Sequence, residues 1–232
     1  MSNRGLIACF AALLLLWFGY GNATAEMPIE EFARQTFIHG VPYEEARQYR
    51  TKEDAVSKLL GMLADFKQER YWSNVVVTLC MIGDDRAVDP LIAFVEKGGD
   101  GTLSPAHYNA KTSALIAVGY LINKTGNKKA LEYLKSHITP TAWKEDKLHW
   151  MSPYQPLAEQ RDVELSTMAI LGLALSGHPD GRVALTELKK KPRTGAQAMF
   201  QEQVRSVVDE AIQTNEEIAK GGMSAYYAKG KP

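Results

Sequence analysis

"GDDRAVDPLIAFVEKG", Gly83 to Gly98, decides how the rest of the chain is read. It opens on two carboxylates and an arginine and closes as an aliphatic helix. Within it, Ala87, Val88 and Leu91 stand at i, i+1 and i+4, on one narrow stripe of a helix. The small Ala lets a neighbouring helix approach, and the branched residues fill the groove beside it. The same spacing returns in "EDAVSKLL" (Glu53–Leu60), "KKALEYLK" (Lys128–Lys135) and "RVALTELK" (Arg182–Lys189). Their alanines, Ala55, Ala87, Ala130 and Ala184, lie 32, 43 and 54 residues apart. Repetition at such intervals signals stacked supersecondary units.

Before each of the last three copies runs a second, more apolar segment: "YWSNVVVTLCMIG", "KTSALIAVGYLIN" and "ELSTMAILGLALS". Short polar turns join the two halves. A helix that is apolar nearly all round is one covered on both sides, so each unit reads as a helix–turn–helix with an inner first helix. Strand signals are few. "NVVVTL" is β-branched, but it continues an amphipathic run with no turn residue on either side. Asp100-Gly101 and Asp180-Gly181 each fall in a helix–helix connection and join no alternating runs. The reading is all-α.

On these residues the chain resembles the short bacterial type of HEAT repeat, also found in phycobilisome-lyase-like proteins. The Gly-Asp turn, Arg-Ala-Val start, Pro-Leu step and aliphatic finish of residues 83–98 carry the resemblance. It extends over 69–98 most fully, then over 105–138 and 160–191, and is thinnest over 42–66. Pro90 fits if the first turn is irregular and the regular helix begins near Asp89, since Pro is tolerated only in a first turn. The resemblance implies a right-handed α-solenoid of about three to four HEAT-like helix pairs with N- and C-terminal capping helices. Such units bury their apolar faces only by stacking. The expected caps are Pro28–Tyr49, as two short helices, and the stripe of Phe200, Val204, Val207 or Val208, and Ala211. The resemblance also implies a concave face lined by the second helices, with Asp89, Glu96, Lys129, Glu132, Arg182 and Glu187 as its polar positions.

The amino terminus reads as a secretory signal. Arg4 supplies a positive charge, Leu6 to Phe18 is 13 residues without a charge or breaker, and Ala23-Thr24-Ala25 is a small-x-small cleavage pattern. A membrane span needs about 20 apolar residues, so residues 1–25 are expected to be removed and the remainder exported to the periplasm or medium. With Arg4 set aside, 26 Lys and Arg face 27 Asp and Glu. That balance gives no basic face for nucleic acid and no polybasic membrane signal. Only Cys80 remains, so no internal disulfide is expected, and its place in an apolar helix makes it a small buried hydrophobe. Residues 26–220 form the expected solenoid and 221–232 a flexible tail.

Catalytic patterns are scarce. None of the five histidines stands i, i+4 from another, and no His-Glu-x-x-His, Gly-x-Ser-x-Gly or P-loop occurs. Asp84 and Asp85 read as helix-capping carboxylates, as does Asp180. Neither a cofactor nor a metal is expected. The longest interval contains an insertion, residues 139–158, with Trp143, His149, Trp150 and Tyr154. Irregular segments of this length are often functional and Trp and Tyr dominate binding hot spots; the same tryptophans could equally pin the insertion to the helices below. "EKGGDGTLSPAH" (96–107) reads as a flexible link. The expectation is an exported noncatalytic scaffold, or an accessory subunit of an envelope complex, that binds a protein or peptide. The rival is a lyase-like or other enzyme or ligand-binding protein with an unrecognised site.

Overall fold

A computed structural model of the protein describes residues 27–191 and 197–229. Two short helices, α1 (Ile29–Ala33) and α2 (Tyr43–Ala46), precede α3 (Ala55–Ala64). Then come α4 (Trp72–Ile82) paired with α5 (Val88–Glu96), and α6 (Pro105–Thr125) paired with α7 (Lys128–Ser136). After the short α8 (Pro140–Glu145), α9 (Ala158–Ser176) pairs with α10 (Pro179–Lys190), and α11 (Gln197–Lys229) ends the described chain. The fold is all-α among the described residues, apart from one parallel pairing of β1 (Gly101–Thr102) with β2 (Trp150–Met151).

Each repeated stripe is what its helix buries. Ala55, Val56 and Leu59 do so on α3; Ala87, Val88 and Leu91 span the start of α5; Ala130, Leu131 and Leu134 lie on α7; Ala184, Leu185 and Leu188 lie on α10. The punctuation repeats as well. Helices α4, α6 and α9 all end on a glycine in the left-handed region, Gly83 (φ 68°), Gly126 (φ 65°) and Gly177 (φ 58°). A side chain then satisfies the free amides of the next helix: Asp84 Oδ1 accepts from Arg86 N (2.8 Å), Asn127 Oδ1 from Ala130 N (2.9 Å) and His178 Nδ1 from Asp180 N (3.2 Å). Residues 85–87 form one irregular turn before α5, which is why Pro90 is accommodated. In the last unit His178, not Asp180, is the cap, and Asp180-Gly181 lies inside the first turn of α10.

Helix α4 packs on α6, α6 on α9 and α9 on α11, while α5 touches α7, α7 touches α10, and α10 also packs on α11. The α6–α9 crossing is tight. A Cβ on Gly119 would collide with the Gly172 carbonyl, and one on Gly172 would collide with the Leu115 carbonyl. Side chains from one element also cap the next. Arg50 donates to the carbonyls of Ile82 (2.8 Å) and Met81 (3.3 Å), and Asn123 donates to that of Ser176 (3.1 Å). Lone helix C-termini expose carbonyls that water or a donor must satisfy; here the stack supplies the donors.

Helix α11 is a strap. It buries Phe200, Val204, Val208 and Ala211 beside α9 and α10, and Lys189 reaches Asp209 at 2.7 Å. Farther on, Asn215 Nδ2 donates to the Leu173 carbonyl at 2.8 Å. The expected loose tail is corrected: residues 221–229 remain helical beyond a kink at Gly222 (φ 77°). They bury Met223 and bring Tyr227 onto Tyr120 of α6 and Tyr43 of α2. The physical reason is apolar spacing, since Met223, Tyr226 and Tyr227 recur at i, i+3 and i+4. Residues 1–25, the expected signal, and 230–232 lie outside the described residues.

Candidate functional site

The insertion is anchored through its two tryptophans. Both Trp143 and Trp150 are fully buried, at 0 % exposure. Trp143 donates its indole N–H to the His137 carbonyl (3.0 Å), and Trp150 donates to the Glu96 carbonyl (3.2 Å). Two buried cations lie against the Trp150 ring, Lys111 Nζ at 5.1 Å and Arg161 Cζ at 5.3 Å from its centroid. Lys111 sits on carbonyls at the end of α5, those of Phe94 and Val95, and on that of Lys97 just beyond it. Burial pulls its ammonium down to about 7. Arg161 pairs with Asp162 (2.7 Å) and reaches the Trp150 carbonyl. Burial outweighs that guanidinium and lifts the Asp162 carboxyl above its ordinary value. Both tryptophans are therefore corrected as direct partner contacts, because a fully buried ring offers a partner no area.

The same zone corrects the flexible link. Gly101 N donates to the His149 carbonyl (3.2 Å) and Leu103 N to the Met151 carbonyl (3.1 Å). Residues 101–103 are thus zipped to the insertion, and Ser104 Oγ caps α6 through His107 N (3.1 Å).

The other expected positions scatter. His149 and Tyr154 are exposed, Tyr154 meeting Tyr108 edge-on at 5.7 Å. Along the second helices, Asp89 pairs with Lys129 across α5 and α7 (2.7 Å), Glu132 with Lys135 (2.7 Å) and Arg182 with Glu216 of α11 (3.3 Å). Glu187 is exposed. Partial burial and then Asp146 push the Glu96 carboxyl up. The row neutralises much of its own charge.

What the insertion does build is a cleft of about 680 Å³ with α9 and the start of the strap. Pro140, Thr141 and Lys144 come from α8, and Gln155 from the loop after β2. Glu159, Gln160, Val163 and Glu164 come from α9, and Phe200 and Gln203 from α11. Tyr108 holds Glu164 from beneath, its hydroxyl donating to Oε2 at 2.7 Å, and burial pushes that phenol up. Leu157, 55 % exposed, lies in the same loop. Much of the lining is apolar, and three glutamines and a threonine supply donors and acceptors suited to main-chain amides beside Lys144 and the carboxylates of Glu159, Asp162 and Glu164. Of these residues the sequence singled out only Phe200, as part of a buried stripe. The glutamines carry no local signal, because only the fold brings residues 140–164 and 200–203 together.

One cluster resembles a nucleophilic triad. His137 stands between Ser136 Oγ (3.0 Å from Nδ1) and Asp146 Oδ2 (2.8 Å from Nε2). Yet Nδ1 also faces the Tyr133 carbonyl at 2.7 Å, and Ser136 Oγ donates to that carbonyl at 2.9 Å. A ring nitrogen against a carbonyl carries its proton there and is no base for the serine. The cluster instead braces α8, with the His137 ring 4.4 Å from that of Trp143. Cys80 is buried and burial pushes its thiol up, away from the reactive thiolate. Among the described residues no group of three or more His, Cys, Asp or Glu is arranged to hold a metal.

Comparison of the chain with protein-family models, curated proteins and solved structures gives no match.

Proposed function

We propose that the protein is an exported, noncatalytic interaction scaffold, or an accessory subunit of an envelope complex, built as a HEAT-like right-handed α-solenoid. Support for the solenoid comes from the order of packing, in which successive pairs lie side by side and share the same turn chemistry. Export rests on the amino-terminal pattern, and no described helix is long and apolar enough to cross a membrane. The observation that carries the binding reading is the cleft between the insertion, α9 and α11. It joins apolar lining to amide side chains, a combination suited to an extended polypeptide segment.

The test is site-specific photocrosslinking in the native envelope. A crosslinker at Gln160 is expected to trap a discrete partner, and one at Val183, exposed on α10, is not. Gln155→Ala with Gln203→Ala, both lining the cleft, should abolish the adduct while leaving the fold intact. Equal labelling from Gln160 and Val183, or none from either, overturns the assignment.

A further inference from the structure

At the opposite end of α11 a second cleft of about 840 Å³ opens against the loop before α2. Its walls are aromatic and acidic. Tyr43, Tyr226 and Tyr227 line it with Glu44, Glu45 and Glu217. Among its described lining residues the only Lys or Arg is Lys229, which is engaged by Glu217 at 3.2 Å. The rings are held in place: Tyr43 stacks on Tyr227 (5.5 Å, 14°), and Tyr226 meets Tyr227 edge-on (5.7 Å, 80°). The Tyr227 hydroxyl is taken by that of Tyr120. The hydroxyls of Tyr43 and Tyr226 and the carboxylate of Glu45 have no hydrogen-bond or ion-pair partner among the described residues. The protein already sets one cation against this wall, with Arg47 Cζ 5.9 Å from the Tyr43 centroid.

We propose that this cleft binds an organic cation, a quaternary ammonium head group that rests on the tyrosine rings and is balanced by Glu45. Aromatic faces attract such a head group through their quadrupole, and it asks for no donated hydrogen bond. The size fits, since small-molecule clefts run from about 300 to 1,000 Å³. Glu44 is paired with Arg47 (3.0 Å) and Glu217 with Lys229, which leaves the Glu45 carboxylate as the charge a ligand would answer and disfavours an anion. A neutral apolar ligand would leave that charge unanswered.

The test titrates choline into the full exported chain, followed by NMR of the tyrosine ring resonances. It runs beside 3,3-dimethylbutan-1-ol, the uncharged carbon isostere. Choline is expected to shift those resonances saturably and to bind at least about tenfold more tightly than the isostere. Glu45→Gln and Tyr226→Ala should each weaken choline by about fivefold or more, and Tyr226→Phe should keep most of the affinity. Glu45 is exposed, so its variant leaves the fold intact whatever Tyr226→Ala does. Equal affinity for choline and its isostere, no saturable shift, or binding indifferent to Glu45→Gln overturns the proposal.

Discussion

Gly119 and Gly172 set the distance between the two central helices, because a single added methyl on either meets a backbone carbonyl of its neighbour. Backbone cannot rotate aside as a side chain can. Gly119→Ala is therefore expected to cost about 2–3 kcal/mol in urea unfolding. Gly61, in α3 with nothing within 4 Å of the added carbon, is the contrast: Gly61→Ala should stabilise by about 0.5–1 kcal/mol through helix propensity. Equal effects at the two sites would mean that the crossing is not tight. Lys111 carries the second residue-scale prediction. Its ammonium falls from 10.5 in the unfolded chain to about 7 in the fold. Between those values the unfolded chain binds a proton that the folded chain has released, so stability rises with pH across that window and is lowest below it. The stability of the native protein relative to Lys111→Met should rise from pH 7 to pH 10, with a limiting slope of about 1.4 kcal/mol per pH unit. A difference that stays flat with pH in urea titrations would show Lys111 still charged at pH 10.

At the scale of elements, the insertion is a plate pinned by Trp150. Trp150→Ala removes a fully buried ring together with its bond to the Glu96 carbonyl. It should cost about 3–5 kcal/mol. Hydrogen exchange at Gly101 and Leu103, whose amides bond to residues 149 and 151, should speed up more than exchange within α4. Uniform loss of protection would mean that the plate is no separate element. The helix pairs were legible in the sequence because their signals are local: a stripe at i, i+1 and i+4, a glycine stop and a polar cap within a few residues. The plate was legible only as irregular chain. The partners of Trp150 lie on α5, α6 and α9, up to 54 residues away, and no local spacing announces them. The end of α11 was misread for a related reason. Gly221 and Gly222 look like a stop, yet Met223, Tyr226 and Tyr227 keep the helical period and find a surface on α2 and α6. The candidate cleft inherits both difficulties, since it is made of the plate and the strap.

For the whole molecule, the strap joins elements that a simple stack would leave far apart. Removing residues 222–232 uncovers the Tyr43–Tyr120 contact (6.0 Å between centroids) and discards buried Met223. The expected loss is about 3 kcal/mol, or roughly 6–12 °C in the thermal midpoint by calorimetry. An unchanged midpoint would show that the strap merely lies on the surface. The hydrogen bond from Arg47 to Ser224 closes a loop of 177 residues. Neighbouring helix pairs meet across short stretches of chain and can form quickly, whereas closing so long a loop carries a large entropic cost and slows folding. Whatever the pairs do early, the native topology waits for residues 222–229 to arrive. Until then α2 has no lid over Tyr43, and any delay in those last residues is a delay in closing the whole molecule.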